Sequence, residues 1–220
     1  MTIVDQIVEK KVHIGTVSKY SHPKTSKFRL GKNENTIIID PDIIEAQLNS
    51  AKDKISSYVA KNSPILLICE KSVCLPDIEN ISTKLWINYF YTNTPSGILT
   101  NFNTIFGRIK SMQQLESFVW SDDFFTLTKK EQLMKKRELA KVQKVYKWVK
   151  NLKAKPELVI IVDGNMLSKF VDEVEKINID HIIISNTDFD RYASDNSLII
   201  SNTKSHTSLQ FILNYIFNIK

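Results

Sequence analysis

The sequence predicts an α/β protein whose core is a doubly wound parallel sheet, from which an antiparallel helical hairpin, a coiled coil, protrudes. Two observations predict the sheet: short segments rich in Ile, Val and Leu recur along the chain, and helical stretches separate them. A third predicts the hairpin, because residues 96–153 are too long for a simple crossover and carry apolar seams at helical spacing. We therefore expect a sheet domain with an N-terminal basic arm, built from residues 1–95 and 154–220, and a hairpin insertion at 96–153.

Six short segments read as strands because they are rich in β-branched and aliphatic residues. The predicted strands are residues 36–40, 65–69, 87–91, 158–163, 181–185 and 198–201. Most of them are apolar on both faces, which is typical of parallel strands that helices cover on both sides. Helices are predicted for residues 1–11, 41–61, 165–177 and 205–218. The second of these begins with Asp40 as N-cap and Pro41 in the first helical position.

The hairpin is predicted from two series of apolar residues that step by three and four positions. The series are Phe102, Ile105, Ile109, Met112 and Leu115, and then Leu139, Val142, Tyr146, Val149 and Leu152. Between them, Thr128 and Glu131 have the spacing of a capping box, which starts the second helix. At 1.5 Å per residue we expect helices of about 27 Å and 36 Å.

Composition excludes several classes of protein. The 220 residues are 42% hydrophobic and 25% charged, which is typical of a folded globular chain. No apolar run approaches the ~18 residues that cross a bilayer. The five glycines are scattered, so neither common nucleotide-phosphate loop can be written. Cys69 and Cys74 form neither a disulfide framework nor a zinc knuckle.

Basic residues are concentrated in two blocks of the chain. Residues 1–32 contain seven Lys or Arg against two acids, and residues 100–155 contain thirteen against five, whereas the remaining blocks are mildly acidic. Such asymmetry favours a polyanionic partner, because each Lys or Arg that meets a phosphate releases condensed counterions. Solvated lysine-rich helix faces remain the alternative at this point.

Several segments resemble the family of small-subunit ribosomal protein two. Residues 97–105 (GILTNFNTI) are similar to the family's G-M-L-T-N-F-K-T-I, and residues 127–139 (LTKKEQLMKKREL) to its L-T-K-K-E-A-L-M-x-x-R-E-L. Residues 12–15 with 20–24 resemble its V-H-F-G-H and W-N-P-K-M, and residues 156–163 its L-P-D-x-x-x-V-x-D strand. The chain departs from the family at Thr16, His22 and Ser96, where the family has His, Asn and Gly.

The resemblance implies a flavodoxin-like sheet with a coiled-coil hairpin, bound to small-subunit rRNA where the head meets the body. It also implies neighbouring small-subunit ribosomal proteins as partners, no enzymatic activity and no cofactor. We expect neither a membrane partner nor a homo-oligomer. Abundant Ile, Lys and Asn, with no presequence, predict a mitochondrial, organelle-encoded product bound to the ribosome in the matrix. A plastid or an AT-rich bacterial cytoplasm remains open.

Three groups of residues are candidates for RNA contact, since they combine cations, rings and short polar side chains. In the N-terminal segment they are His13, Lys19, Tyr20, His22, Lys24, Lys27 and Arg29, which Lys32 extends. At the start of the hairpin they are Thr100, Asn101, Asn103, Arg108 and Lys110. Along its second helix they are Lys129, Lys130, Lys135, Lys136, Arg137, Lys141 and Lys144. The alternatives are an ordinary surface loop for the first group and a helix cap for Thr100 or Asn101.

Carboxylates at the predicted carboxyl edge of the sheet suggest an alternative from another class. Asp163, Asp188 and Asp190 suit a Mg²⁺ site in a flavodoxin-like enzyme that binds a phosphorylated ligand. Helix-capping roles are favoured, because no glycine loop, general base or nucleophile accompanies them. We therefore predict no catalytic residue and no metal site. A helical-hairpin adaptor that binds proteins alone is a third possibility.

Overall fold

The computed structural model describes residues 2–92, 94–191 and 197–219. Its strands are β1 (Ile14–Val17), β2 (Arg29–Asn33), β3 (Thr36–Ile39), β4 (Ile65–Ile68), β5 (Asn88–Phe90), β6 (Leu158–Val162), β7 (Asp180–Ser185) and β8 (Leu198–Ile200). Its α-helices are α1 (Ile3–Glu9), α2 (Pro41–Ala60), α3 (Leu75–Leu85), α4 (Phe102–Val119), α5 (Asp122–Thr126), α6 (Lys129–Tyr146), α7 (Ser168–Ile177) and α8 (His206–Ile216).

In the described residues, five strands form a parallel sheet in the order β5-β4-β6-β7-β8. Numbered within the sheet, this is the order 2-1-3-4-5 of flavodoxin-like folds, so the predicted fold class is confirmed. Every residue of β4 and β6 is buried. Helix α2 packs on α8 and β8, and α7 packs on β6 and β7. Coverage by helices explains why these strands are continuous apolar runs rather than alternating ones.

The segment at residues 36–40 was expected among the parallel strands, and that expectation is wrong. Strand β3 instead pairs antiparallel with β1 and β2 in a separate three-stranded sheet, ordered β1-β3-β2. Glu34, at φ 51°, forms the tight turn from β2 into β3. A turn this short joins antiparallel strands, whereas a parallel pair requires a long crossover.

The predicted helices are all present, with shifted ends. Asp40 caps α2 through the Asp42 N–H, with Pro41 in the first turn, as expected. Helix α7 begins at Ser168 rather than at residue 165. Helix α6 ends at Tyr146, and a 3-10 turn follows at Lys147–Val149, so the helix is about 27 Å long and the predicted 36 Å is wrong. Helix α3 was not predicted.

Helices α4 and α6 form the helical hairpin, with α5 at the end distant from the sheet. They run antiparallel, because Gln113 of α4 contacts Lys150, just beyond α6, whereas Glu116, one turn further along α4, contacts Gln143, earlier in α6. The predicted seams are buried or half-buried along their length, with Ile109, Met112 and Leu139 in the core. The capping box is formed: the Thr128 hydroxyl accepts from the Glu131 N–H, and the Glu131 carboxylate accepts from the Thr128 N–H.

Candidate nucleic-acid interface

Helix α6 presents a row of cations to solvent. Of the seven candidates on it, six are exposed and Lys135 is half-exposed: Lys129, Lys130, Lys135, Lys136, Arg137, Lys141 and Lys144. The helix contains two carboxylates. Glu131 is held by the capping box, whose hydrogen bonds from Thr128 lower its pKa, and Glu138 pairs with Lys135 at 3.0 Å. The remaining ammonium groups face water with little compensating charge, as a phosphate-binding surface requires.

The candidates at the hairpin start are also solvent-facing. Thr100, Asn101, Asn103, Arg108 and Lys110 are all exposed. Asn101 occupies the N-cap position of α4, but its side chain accepts from the Thr104 hydroxyl at 2.7 Å instead of capping a backbone N–H. The capping alternative for Asn101 is therefore not realised. Lys110 lies 4.6 Å from the Phe106 ring centroid.

A buried carboxylate fixes the loop that leads into the hairpin. Glu173 of α7 is 9% exposed and accepts the N–H groups of Gly97 at 2.5 Å and Leu99 at 3.1 Å. Gly97 has φ +83°, a conformation that glycine adopts without strain. The sequence analysis did not identify Glu173. Its position next to Val174, on the apolar face of α7, was the available signal.

The N-terminal candidates lie on a segment that is fastened to the parallel sheet through Thr187. The backbone carbonyl of Thr187, just after β7, accepts from the His22 N–H at 2.8 Å and the Thr25 hydroxyl at 2.8 Å. Its hydroxyl meets Thr16 Oγ1 at 2.7 Å. A Cβ on Gly15 would lie 2.9 Å from the Thr187 side chain, so this strand approaches too closely for any larger residue. Thr16 is thus a buried packing residue rather than a contact surface.

The lysines and the tyrosine of this segment are exposed, and several of them also contact neighbouring residues. Lys19 and Tyr20 are exposed, with the Lys19 ammonium 5.9 Å from the Tyr20 ring, and Lys27 and Lys32 are also exposed. Lys24 is exposed but donates to the Asp190 carbonyl at 2.6 Å.

Three side chains of the segment make hydrogen bonds to neighbouring parts of the chain. The Arg29 guanidinium donates to the His22 carbonyl and to the Thr25 hydroxyl at 3.0 Å. His13 is half-buried, with Nδ1 3.4 Å from the Ile7 carbonyl. His22 is half-buried and accepts from the Lys24 N–H through Nδ1.

The carboxylates of the enzyme alternative do not converge. Asp163 lies at the switch point between β4 and β6, where flavodoxin-like folds bind ligands, but its Oδ2 is 2.5 Å from the Lys71 ammonium. Asp190 points toward Arg191. Within the ranges that the structure describes, no three His, Cys, Asp or Glu side chains are grouped as a metal would need. Helices of the same ranges include none with the length and hydropathy of a membrane span.

Comparison with known proteins distinguishes between the ribosomal and the enzyme interpretations of the sequence. The family described as "Ribosomal protein S2" matches residues 7–219. The chain belongs to the ribosomal protein S2 family.

The relatives compared come from bacteria. The small ribosomal subunit protein uS2 of Leifsonia xyli subsp. xyli is 30% identical over 185 residues, which is 84% of this chain and 62% of the relative. The uS2 protein of Pseudarthrobacter chlorophenolicus is 30% identical over 186 residues, which is 84% of this chain and 64% of the relative. The uS2 protein of Nitrobacter hamburgensis is 29% identical over 185 residues, which is 84% of this chain and 56% of the relative. The chain thus spans less than two thirds of the length of these relatives.

Membership in the S2 family confirms the resemblance drawn from the sequence motifs. The matching family is one of ribosomal proteins, whereas the enzyme alternative depends on Asp163, whose carboxylate pairs with Lys71. The expected mitochondrial origin finds no counterpart among the relatives compared, which are bacterial.

Proposed function

We propose that this protein is a structural constituent of the small ribosomal subunit that binds rRNA through two basic surfaces and thereby supports translation. The observation that carries the proposal is the exposed row of cations on α6, whose two carboxylates are both engaged. The N-terminal segment supplies the second surface, through Lys19, Tyr20, Lys24 and Lys27. The binding position between head and body follows from the family resemblance, as do neighbouring ribosomal proteins as partners.

The two surfaces have different rigid supports, which favours simultaneous contact with separate rRNA helices. Thr187 holds the N-terminal segment on the carboxyl edge of β7, whereas Glu173 holds the start of the hairpin on α7. Both supports belong to one parallel sheet domain. The sheet therefore acts as a spacer, and most of the affinity comes from phosphate contacts.

The proposed location is a mitochondrial ribosome, with the protein encoded in the organelle. The support is residue usage: Ile, Lys and Asn number 29, 26 and 17, whereas Arg numbers four, which is the bias that AU-rich codons produce. A plastid or an AT-rich bacterial cytoplasm fits the same bias, and the relatives are bacterial.

Sucrose-gradient sedimentation of the tagged chain tests the function. We expect the chain to sediment with small subunits and to move to the top of the gradient after ribonuclease treatment. Organelle fractionation of the source cells tests the location in the same experiment. Sedimentation with a protein complex that resists ribonuclease would instead support the adaptor alternative.

A further inference from the structure

Two large aromatic side chains are exposed at the end of the hairpin distant from the sheet. Trp120 is the C-cap residue of α4 and is 83% exposed, and Phe125 of α5 is 71% exposed. Rings of this size normally contribute by burying their area, so neither contributes much packing to the fold. We call Trp120 and Phe125 the tip aromatics.

The tip aromatics sit on a rigid base. Phe125 packs edge to face on Phe124, at 5.8 Å between centroids and 82°, and Phe124 is buried and meets Phe118 at 6.1 Å. Beside Trp120, the Ser121 N–H and hydroxyl both donate to the Phe118 carbonyl, at 3.0 and 2.8 Å. Because their supports are fixed, the rings bind a partner at a low cost in conformational entropy.

Cations of α6 lie beside Phe124, the ring that supports Phe125. The Lys136 ammonium lies 5.5 Å from the Phe124 ring, on which Phe125 packs, and Lys129 and Lys130 are exposed at the start of α6. Asp122 and Asp123 are exposed on α5 and repel phosphate there. This distribution of charge favours a ligand whose negative group lies toward α6 and whose uncharged part lies against the rings. Exposed rings beside cations form the combination that binds unpaired nucleotides.

We propose that Trp120 and Phe125 form a stacking platform for unpaired bases in a loop or bulge of rRNA. This inference rests on the proposed function and adds selectivity for unpaired nucleotides. The ammonium groups of the lysines contact any phosphate, whereas stacking requires a base that is not paired with another base. The excess of Lys and Arg along the adjoining helix favours RNA over a protein partner at this tip.

Binding assays on the whole chain test the platform with two RNA probes. One is a stem-loop with eight unpaired uridines, and the other is the same stem as a blunt duplex. We expect Trp120→Ala and Phe125→Ala each to weaken stem-loop binding by roughly 5- to 150-fold and to leave duplex binding unchanged. The matched control is Trp86→Ala, because Trp86 is also 83% exposed but lies at the end of α3, outside the hairpin.

Tryptophan fluorescence gives an independent measurement. Stem-loop RNA should quench the fluorescence of the unchanged chain and of Trp86→Phe, whereas Trp120→Phe should lose the quenching and keep most of the affinity, because phenylalanine retains a ring face. The exposed positions leave folding intact, which circular dichroism verifies.

Equal affinity of wild type and both alanine variants for the stem-loop overturns the platform, while salt-dependent binding of both RNAs would leave the proposed function standing. If the alanine variants bind RNA normally but lose a ribosomal protein during subunit reconstitution, the tip is a protein surface and the inference is wrong. Failure of the unchanged chain to bind either RNA would overturn the proposed function itself.

Discussion

Replacing Glu173 by glutamine should loosen the start of the hairpin without removing packing volume. Each carboxylate oxygen accepts one backbone N–H, from Gly97 and from Leu99. Glutamine offers one carbonyl oxygen, and its amide group opposes the second N–H. An unsatisfied buried donor costs about 1–3 kcal/mol, and hydrogen bonds to charged acceptors are the stronger ones. We therefore expect Glu173→Gln to lower the free energy of unfolding by about 1–3 kcal/mol.

Urea denaturation measures this loss, and amide hydrogen exchange at Gly97 and Leu99 locates it. Glu175→Gln is the matched control, because Glu175 is exposed on the same helix and its change should stay within about 0.5 kcal/mol. RNA affinity should also fall in Glu173→Gln, since Thr100 and Asn101 follow the loosened loop. Equal unfolding free energies and equal exchange rates in the two variants would refute the proposed anchoring.

Three further predictions concern local contacts. Gly15→Ala should destabilise the chain by about 1–3 kcal/mol in urea, because the new methyl overlaps Thr187, and an unchanged midpoint would contradict that packing. Thr128→Ala should cost about 1 kcal/mol in thermal unfolding through loss of the capping box, and no loss would show that the cap is dispensable. The Tyr58 hydroxyl lowers the pKa of Asp180 below 3.8, so this bond stabilises the fold at neutral pH and is lost as pH falls through the lowered value. Tyr58→Phe should therefore cost up to about 1 kcal/mol at pH 7, since Asp180 is largely exposed, and less once the pH is low enough to protonate Asp180; a cost that does not change with pH would contradict this.

The parallel sheet and the hairpin were predictable because the order of apolar residues along the chain reflects which faces of these elements are buried. Strands such as β6 are covered on both faces and are therefore apolar throughout, and a two-helix seam repeats every three or four residues. The capping box at Thr128 and the Asp40 cap are short-range contacts, which depend on neighbouring residues alone.

The antiparallel sheet was less predictable because its strands are short and one of them, β2, is mostly exposed. Strand β2 contains Arg29, Gly31 and Lys32, so it has no apolar alternation and depends on β3 for its hydrogen bonds. The anchoring roles of Glu173 and Thr187 depend on contacts across more than 70 residues of sequence, which no local pattern contains.

The salt dependence of RNA binding tests the central claim most directly. Changing Lys135, Lys136, Lys141 and Lys144 to glutamine should reduce the slope of log K against log salt by up to about 3.6 on duplex rRNA, at about 0.9 for each lost phosphate contact. The control changes an equal number of exposed lysines on the sheet domain: Lys61, Lys84, Lys169 and Lys176. The account predicts a reduced slope in the hairpin variant and an unchanged slope in the control. Identical slopes in the two variants would contradict it.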